Sequence, residues 1–116
     1  MRPRPSPEPE VAKCAVIYSS EFWVTNHTPY TVVVTATRKY SKSETYTLSL
    51  RPRETLKCGQ MILAEQFDDP AKYFDISAVP KKPIKGQRFT IIAADKQPQQ
   101  VAKETRRYYY EVRHII

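Results

Sequence analysis

The run Arg106-Arg107-Tyr108-Tyr109-Tyr110-Glu111-Val112-Arg113 holds the densest mixture of chemically useful side chains in this chain of 116 residues. Single-strand nucleic-acid binders use such mixtures, because cations track phosphates while aromatic rings stack on bases. Successive side chains on a strand point to opposite faces. Arg107, Tyr109 and Arg113 therefore share one face, and Tyr108 and Tyr110 share the other. The competing reading is a sheet strand with Tyr108 and Tyr110 in the core beneath a charged outer face. The nucleic-acid reading would suit a small Greek-key barrel of the oligonucleotide-binding type.

Cys14 and Cys58 are the two cysteines. Cys58 shares a face with Leu56, and both cysteines fall on inward strand positions, so a Cys14–Cys58 disulfide is expected. Closing a loop of roughly 44 residues would stabilise the fold by about 4 kcal/mol on a chain-entropy argument. Two buried reduced thiols are the alternative. A catalytic thiol is disfavoured, because the apolar Ala15-Val16-Ile17 after Cys14 would raise its pKa. With His27 and His114 the cysteines make two pairs of zinc-type ligands, but without the short ligand spacing that zinc sites use. No metal is expected. His114 lies on the apolar face of the last strand and reads as a core or rim histidine.

Asn26-His27-Thr28 matches the N-glycosylation sequon at a strand end, which makes Asn26 a candidate acceptor. A chance match is the competing reading. The acids, among them Glu21, Glu44, Glu54, Asp75 and Glu111, are scattered, and Asp68-Asp69 before Pro70 reads as a turn. No serine-nucleophile motif, phosphate-cradling glycine loop or metalloprotease motif is present. A non-enzyme without cofactor or small-molecule substrate is expected. A hydrolase assembled from scattered acids is a weaker alternative.

The elements that must position these residues are strands. Thr31 to Tyr40 is rich in β-branched residues. Thr45 to Leu50 alternates, with Tyr46, Leu48 and Leu50 on one face. That period of two marks a half-buried antiparallel hairpin. Strands are expected near 13–18, 21–26, 30–40, 44–50, 55–64, 73–79, 88–94 and 106–115, with one helical turn within 64–73. Phe22 and Val24 take the inner face of their strand and leave Trp23 partly exposed as a contact anchor. Breakers at Pro29, Pro52, Pro70, Pro80, Pro83 and Pro98 separate the runs. With Gly59 and Gly86 as the only glycines, the connections should be longer loops rather than tight primed turns.

The expected fold is all-β: an antiparallel β-sandwich, immunoglobulin-like, of about seven to eight short strands, spanning 13–116 as one domain. The Asn-x-Thr turn, the Val-rich strand and the run to Cys58 form a cadence common to many immunoglobulin-like sandwiches, and it assigns no residue a role. Pro3, Pro5, Pro7 and Pro9 make 1–12 an extended leader of the kind that separates a domain from an anchor. A secreted, periplasmic or membrane-tethered protein is therefore expected, its signal already removed. The formal net charge of +7 is spread over every segment. It favours anionic lipid, glycan or nucleic acid only through non-specific attraction. The expected function is a non-enzymatic binding or structural module whose partner is a protein, met through a sheet edge or a loop end, with Trp23, Arg107, Tyr109 and Arg113 as candidate interface residues. A nucleic-acid-binding barrel is the alternative.

Overall fold

A computed structural model describes residues 16–41 and 43–115. The leader 1–12 and Cys14 lie outside the described residues. The chain forms β1 (Ile17–Asn26), β2 (Val32–Arg38), β3 (Thr45–Leu50), β4 (Thr55–Ala64), a 3-10 turn (Pro70–Lys72), β5 (Phe74–Pro80), β6 (Arg88–Ala93), β7 (Gln99–Ala102) and β8 (Thr105–Ile115). A five-stranded sheet runs in the order β4-β1-β8-β6, with β7 also on β8, and a three-stranded sheet runs β3-β2-β5. The two sheets form a β-sandwich and do not close, so the barrel alternative is not the fold.

Three features depart from the expected strands. The segments 13–18 and 21–26 are not separate, since one strand runs from Ile17 to Asn26. Ser19 and Ser20 do not break it, because β4 and β8 pair with it on both sides. The short, fully exposed β7 carries no apolar alternation and so no sequence signal. The central pair, β1 and β8, is parallel. β6 and β7 lie end to end along the same side of β8, so they count as one pass of the chain. An even number of reversals then separates β1 from β8 and brings them in side by side.

The core between the sheets contains Phe22, Val24, Val32, Val34, Ala36, Leu50, Met61, Phe74, Tyr108, Tyr110 and Val112. Phe22 meets Phe74 at 5.2 Å and Tyr46 at 5.6 Å between ring centroids. Such edge and tilted contacts add to the burial of each ring. Gly59 is the backbone position that allows this cluster. A Cβ there would lie 2.7 Å from the Tyr46 ring and 2.8 Å from Cζ of Phe22. At the same point the β1–β4 register slips, and β4 bulges so that Cys58 and Gly59 both face inward.

Each end of the sandwich is closed by a different device. At one end, Phe67 packs on Tyr18 at 4.7 Å and under the Arg106 guanidinium at 4.3 Å. There Asp69 caps the 3-10 turn and also accepts the Tyr110 hydroxyl. Burial and that carboxylate push the Tyr110 phenol well above its ordinary pKa. At the other end stands Asn26, which is 0 % exposed. Its Nδ2 donates to the carbonyls of Tyr30 at 2.6 Å, Leu50 at 3.2 Å and Arg51 at 3.2 Å. Its Oδ1 accepts from the Thr28 amide at 3.0 Å and hydroxyl at 2.7 Å. The candidate glycosylation of Asn26 is therefore overturned. A glycan on Nδ2 would displace these bonds and has no room in the interior.

Asn26→Asp preserves shape but turns a donor into an acceptor facing three carbonyls. Leaving buried groups unsatisfied costs about 1–3 kcal/mol each, so a loss of about 3 kcal/mol is expected. Thermal denaturation should show a drop of roughly 10 °C, given the few degrees per kcal/mol typical of this size. An unchanged melting temperature would mean that the side chain is not the tie between the sheets.

Candidate functional site

Three of the four residues expected at an interface converge on the outer face of the five-stranded sheet. The parallel register pairs Glu21 with Arg107 and Trp23 with Tyr109. Because β1 and β8 place alternate residues outward, these four side chains stand as two adjacent rows over the middle of the sheet. Glu21 is the hub. Its Oε1 accepts the Trp23 indole N–H at 2.9 Å and Arg107 Nε at 3.1 Å. Its Oε2 lies 3.5 Å from Lys57 Nζ. The Arg107 guanidinium sits 4.4 Å from the Trp23 ring centroid, so it is both salt-bridged and stacked.

The neighbouring strands extend the cluster. The β4 bulge brings Lys57 and Gln60 to the same outer face, where Nζ donates to Oε1 at 2.8 Å. The bow between β6 and β7 carries Lys96 to 4.2 Å from the Tyr109 ring centroid. Gln99 then accepts the Tyr109 hydroxyl at 2.8 Å. Lys57, Lys96 and Gln99 had no sequence signal, because their placement depends on a bulge and on an irregular strand edge. Ile17, Ile62 and Ile92 stand exposed on this face as well.

Arg113, the fourth expected residue, lies two outward positions beyond Tyr109 on β8. Its Nε and Nη2 donate to Glu111 Oε1 at 3.1 and 2.8 Å. Glu111 also meets His27 Nε2 at 3.1 Å. Tyr108 and Tyr110 face the core, at 8 % and 4 % exposure. The C-terminal strand thus presents one tyrosine outward, and both its outward arginines already hold a carboxylate. That arrangement leaves little free positive charge for tracking a phosphate backbone.

Cys58 is a free, buried thiol, and the expected disulfide is overturned. Cys14 lies outside the described residues, and Cys58 sits in the core cluster as an unpaired thiol. Two inward cysteines looked like natural partners because strand alternation gives the face a side chain takes and not its neighbours. Burial pushes the Cys58 thiol up to about 11.

His114 packs against Phe89 at 5.5 Å and Tyr30 at 6.2 Å between centroids. It is the rim histidine expected. Among the described residues no group of three or more His, Cys, Asp or Glu side chains is placed to hold a metal ion. The chain matches no known protein family, no curated protein and no solved structure.

Two outcomes are expected here. Burial raises the Glu21 pKa, but the Trp23 hydrogen bond, the Lys57 charge and the Arg107 hydrogen bond outweigh it, and the net shift is downward. A carboxyl whose folded value is depressed contributes stability above the unfolded value, ~4.3 for glutamate, and loses it as pH falls through the folded one. Trp23 emission should therefore change in that acid range, and Glu21→Gln should abolish the transition. Persistence of the transition in the variant would place the titrating group elsewhere. Separately, Cys58 should resist iodoacetamide at pH 8 in the folded protein and react on unfolding in guanidinium, read by peptide mass. Rapid labelling of the native protein would contradict its burial and raised pKa.

Proposed function

We propose that this domain is a non-enzymatic binding module whose partner is a protein, docked on the outer face of the five-stranded sheet around Trp23, Arg107 and Tyr109. The observation that carries the reading is the Glu21-centred clamp on Trp23 and Arg107. Trp, Tyr and Arg dominate alanine scans of interfaces, and side chains held in place before binding lose less conformational freedom on docking. Here Trp23 and Arg107 share one carboxylate, and Tyr109 is pinned between Lys96 and Gln99. Lysine and arginine stems around the rings give a polar rim, and Ile62 and Ile92 add apolar area toward the sheet's edges.

Placement in a secreted, periplasmic or membrane-tethered protein rests on the Pro-rich leader as a spacer, since Cys58 supplies no disulfide to support it. Arg113 belongs to the rim in this reading, because its charge is already matched by Glu111.

The test uses the full chain as bait, wild type beside the Trp23→Ser/Tyr109→Ser variant, with circular dichroism checking the fold of both. A protein retained by the wild type alone should, once purified, bind the wild type with a Kd at least tenfold below that for the variant, about 1.4 kcal/mol. Equal affinity for both forms would remove this face as the docking surface.

A further inference from the structure

A second site stands apart from the sheet face, at the end of the sandwich that Asn26 closes. A cleft of about 530 Å³ opens there between the β1–β2 turn, the end of β3 and the start of the β5–β6 loop. Its lining combines the apolar Pro29, Tyr30 and Ile84, the cations Arg51, Lys81 and Lys82, and the hydroxyl-bearing Thr31 and Ser49. No carboxylate lines it. Its size lies within the range of sites that enclose a small ligand.

The walls are tied together through their backbone groups, by one buried side chain and one main-chain bond. Asn26 Nδ2 holds the Tyr30 and Arg51 carbonyls, and the Lys81 amide donates to Thr31 at 2.9 Å. Pro80 and Pro83 flank the two lysines, and each proline fixes its own φ. The cleft is thus set before any ligand arrives. Its charges are less settled. Arg51 Nη2 lies 3.3 Å from Glu54 Oε2, but its side chain remains largely exposed. Lys81 and Lys82 make no ion pair with any described residue. On the outer face of the broad sheet Arg107 and Arg113 are each matched with an acid, whereas the three cations of this cleft have one ion-pair partner among them, Glu54, which does not line it.

We propose that this cleft binds a small soluble phosphate monoester carried on an aromatic or similarly apolar group. A phosphate monoester carries about −1.5 to −2 charges and three acceptor oxygens. It can use the guanidinium, two ammonium groups and two hydroxyls that the cleft offers, whereas a carboxylate has only two oxygens for them. The Tyr30, Pro29 and Ile84 wall gives the organic part a surface that inorganic phosphate leaves unused. Concave walls of low dielectric focus the field of the lysines and strengthen the attraction over that of a flat basic surface.

The experiment is an amide chemical-shift titration of the full chain at about 150 mM salt, where diffuse surface attraction is largely screened. Phenyl phosphate should give saturable shifts at Thr31, Lys81, Lys82 and Ile84. Inorganic phosphate should shift the same amides with a Kd about tenfold weaker. Lys81→Gln/Lys82→Gln, at two exposed positions, should keep the melting temperature and raise the phenyl phosphate Kd at least tenfold. Shifts scattered over the lysines and arginines of the whole surface would overturn the proposal, as would an unchanged Kd in the double variant. Vesicles containing phosphatidic acid present the same monoester on a membrane. Co-sedimentation with them that the double variant loses, without saturable binding of phenyl phosphate, would assign the cleft to a lipid surface instead.

Discussion

The arrangement of the two sheets relative to each other depends on the buried amide of Asn26. It ends β1 in one sheet and bonds the carbonyl of Tyr30, in the turn that leads into β2, and those of Leu50 and Arg51 at the end of β3, and β2 and β3 belong to the other sheet. Hydrophobic contact between two sheets has no preferred register, since it is nearly indifferent to a small slide. A buried carboxamide is not indifferent, because each unmade bond costs most of a desolvation penalty. Thr28, also fully buried, completes the network by donating to the same side chain. The crossover from sheet to sheet is thereby fixed to within a hydrogen-bond length, and the loops above it inherit that position.

The parallel pairing of β1 with β8 has a comparable consequence on the sheet's outer surface. A parallel register sets Trp23 beside Tyr109 and Glu21 beside Arg107, so residues far apart in sequence become lateral neighbours. One carboxylate then orders an indole and a guanidinium. Exposed ion pairs contribute little to stability as a rule. This cluster matters for geometry: it holds large side chains in single conformations on a face that would otherwise be a loose array of long chains. The β4 bulge serves both faces at once. Inward, it allows Phe22 and Tyr46 to meet over Gly59. Outward, it moves Lys57 and Gln60 together.

The charge distribution also changes meaning in three dimensions. Along the chain the basic residues look evenly spread. In the fold, Arg38, Arg51, Arg107 and Arg113 each face a carboxylate within 3.5 Å. Lys81 and Lys82 have no such partner among the described residues, and both edge the same cleft. Several arginines are thus matched on the sheets, while Arg51, Lys81 and Lys82 gather on one cleft that no carboxylate lines.

The sequence by itself determined the all-β sandwich and the inward or outward direction of most strand residues. Side-chain alternation is a local property, and Phe22, Val24, Tyr108, Tyr110 and Val112 declare it without reference to any neighbour. For the same reason the outward sharing of a face by Arg107, Tyr109 and Arg113 was legible, as was the half-exposure of Trp23. What joins Trp23 to Arg107 was not, because strand order and parallel register are set by loop lengths, bulges and packing across many residues. The sequon at Asn26 reads as a surface turn until the carbonyls of Tyr30, Leu50 and Arg51 are brought over it. Cys58 reads as half of a disulfide until the fold shows it as a free, buried thiol. Lys96, Gln99 and the cleft behind Lys81 come from irregular backbone, which has no period to read. Tertiary structure decided those features, because each depends on where a second segment lies rather than on what the first contains.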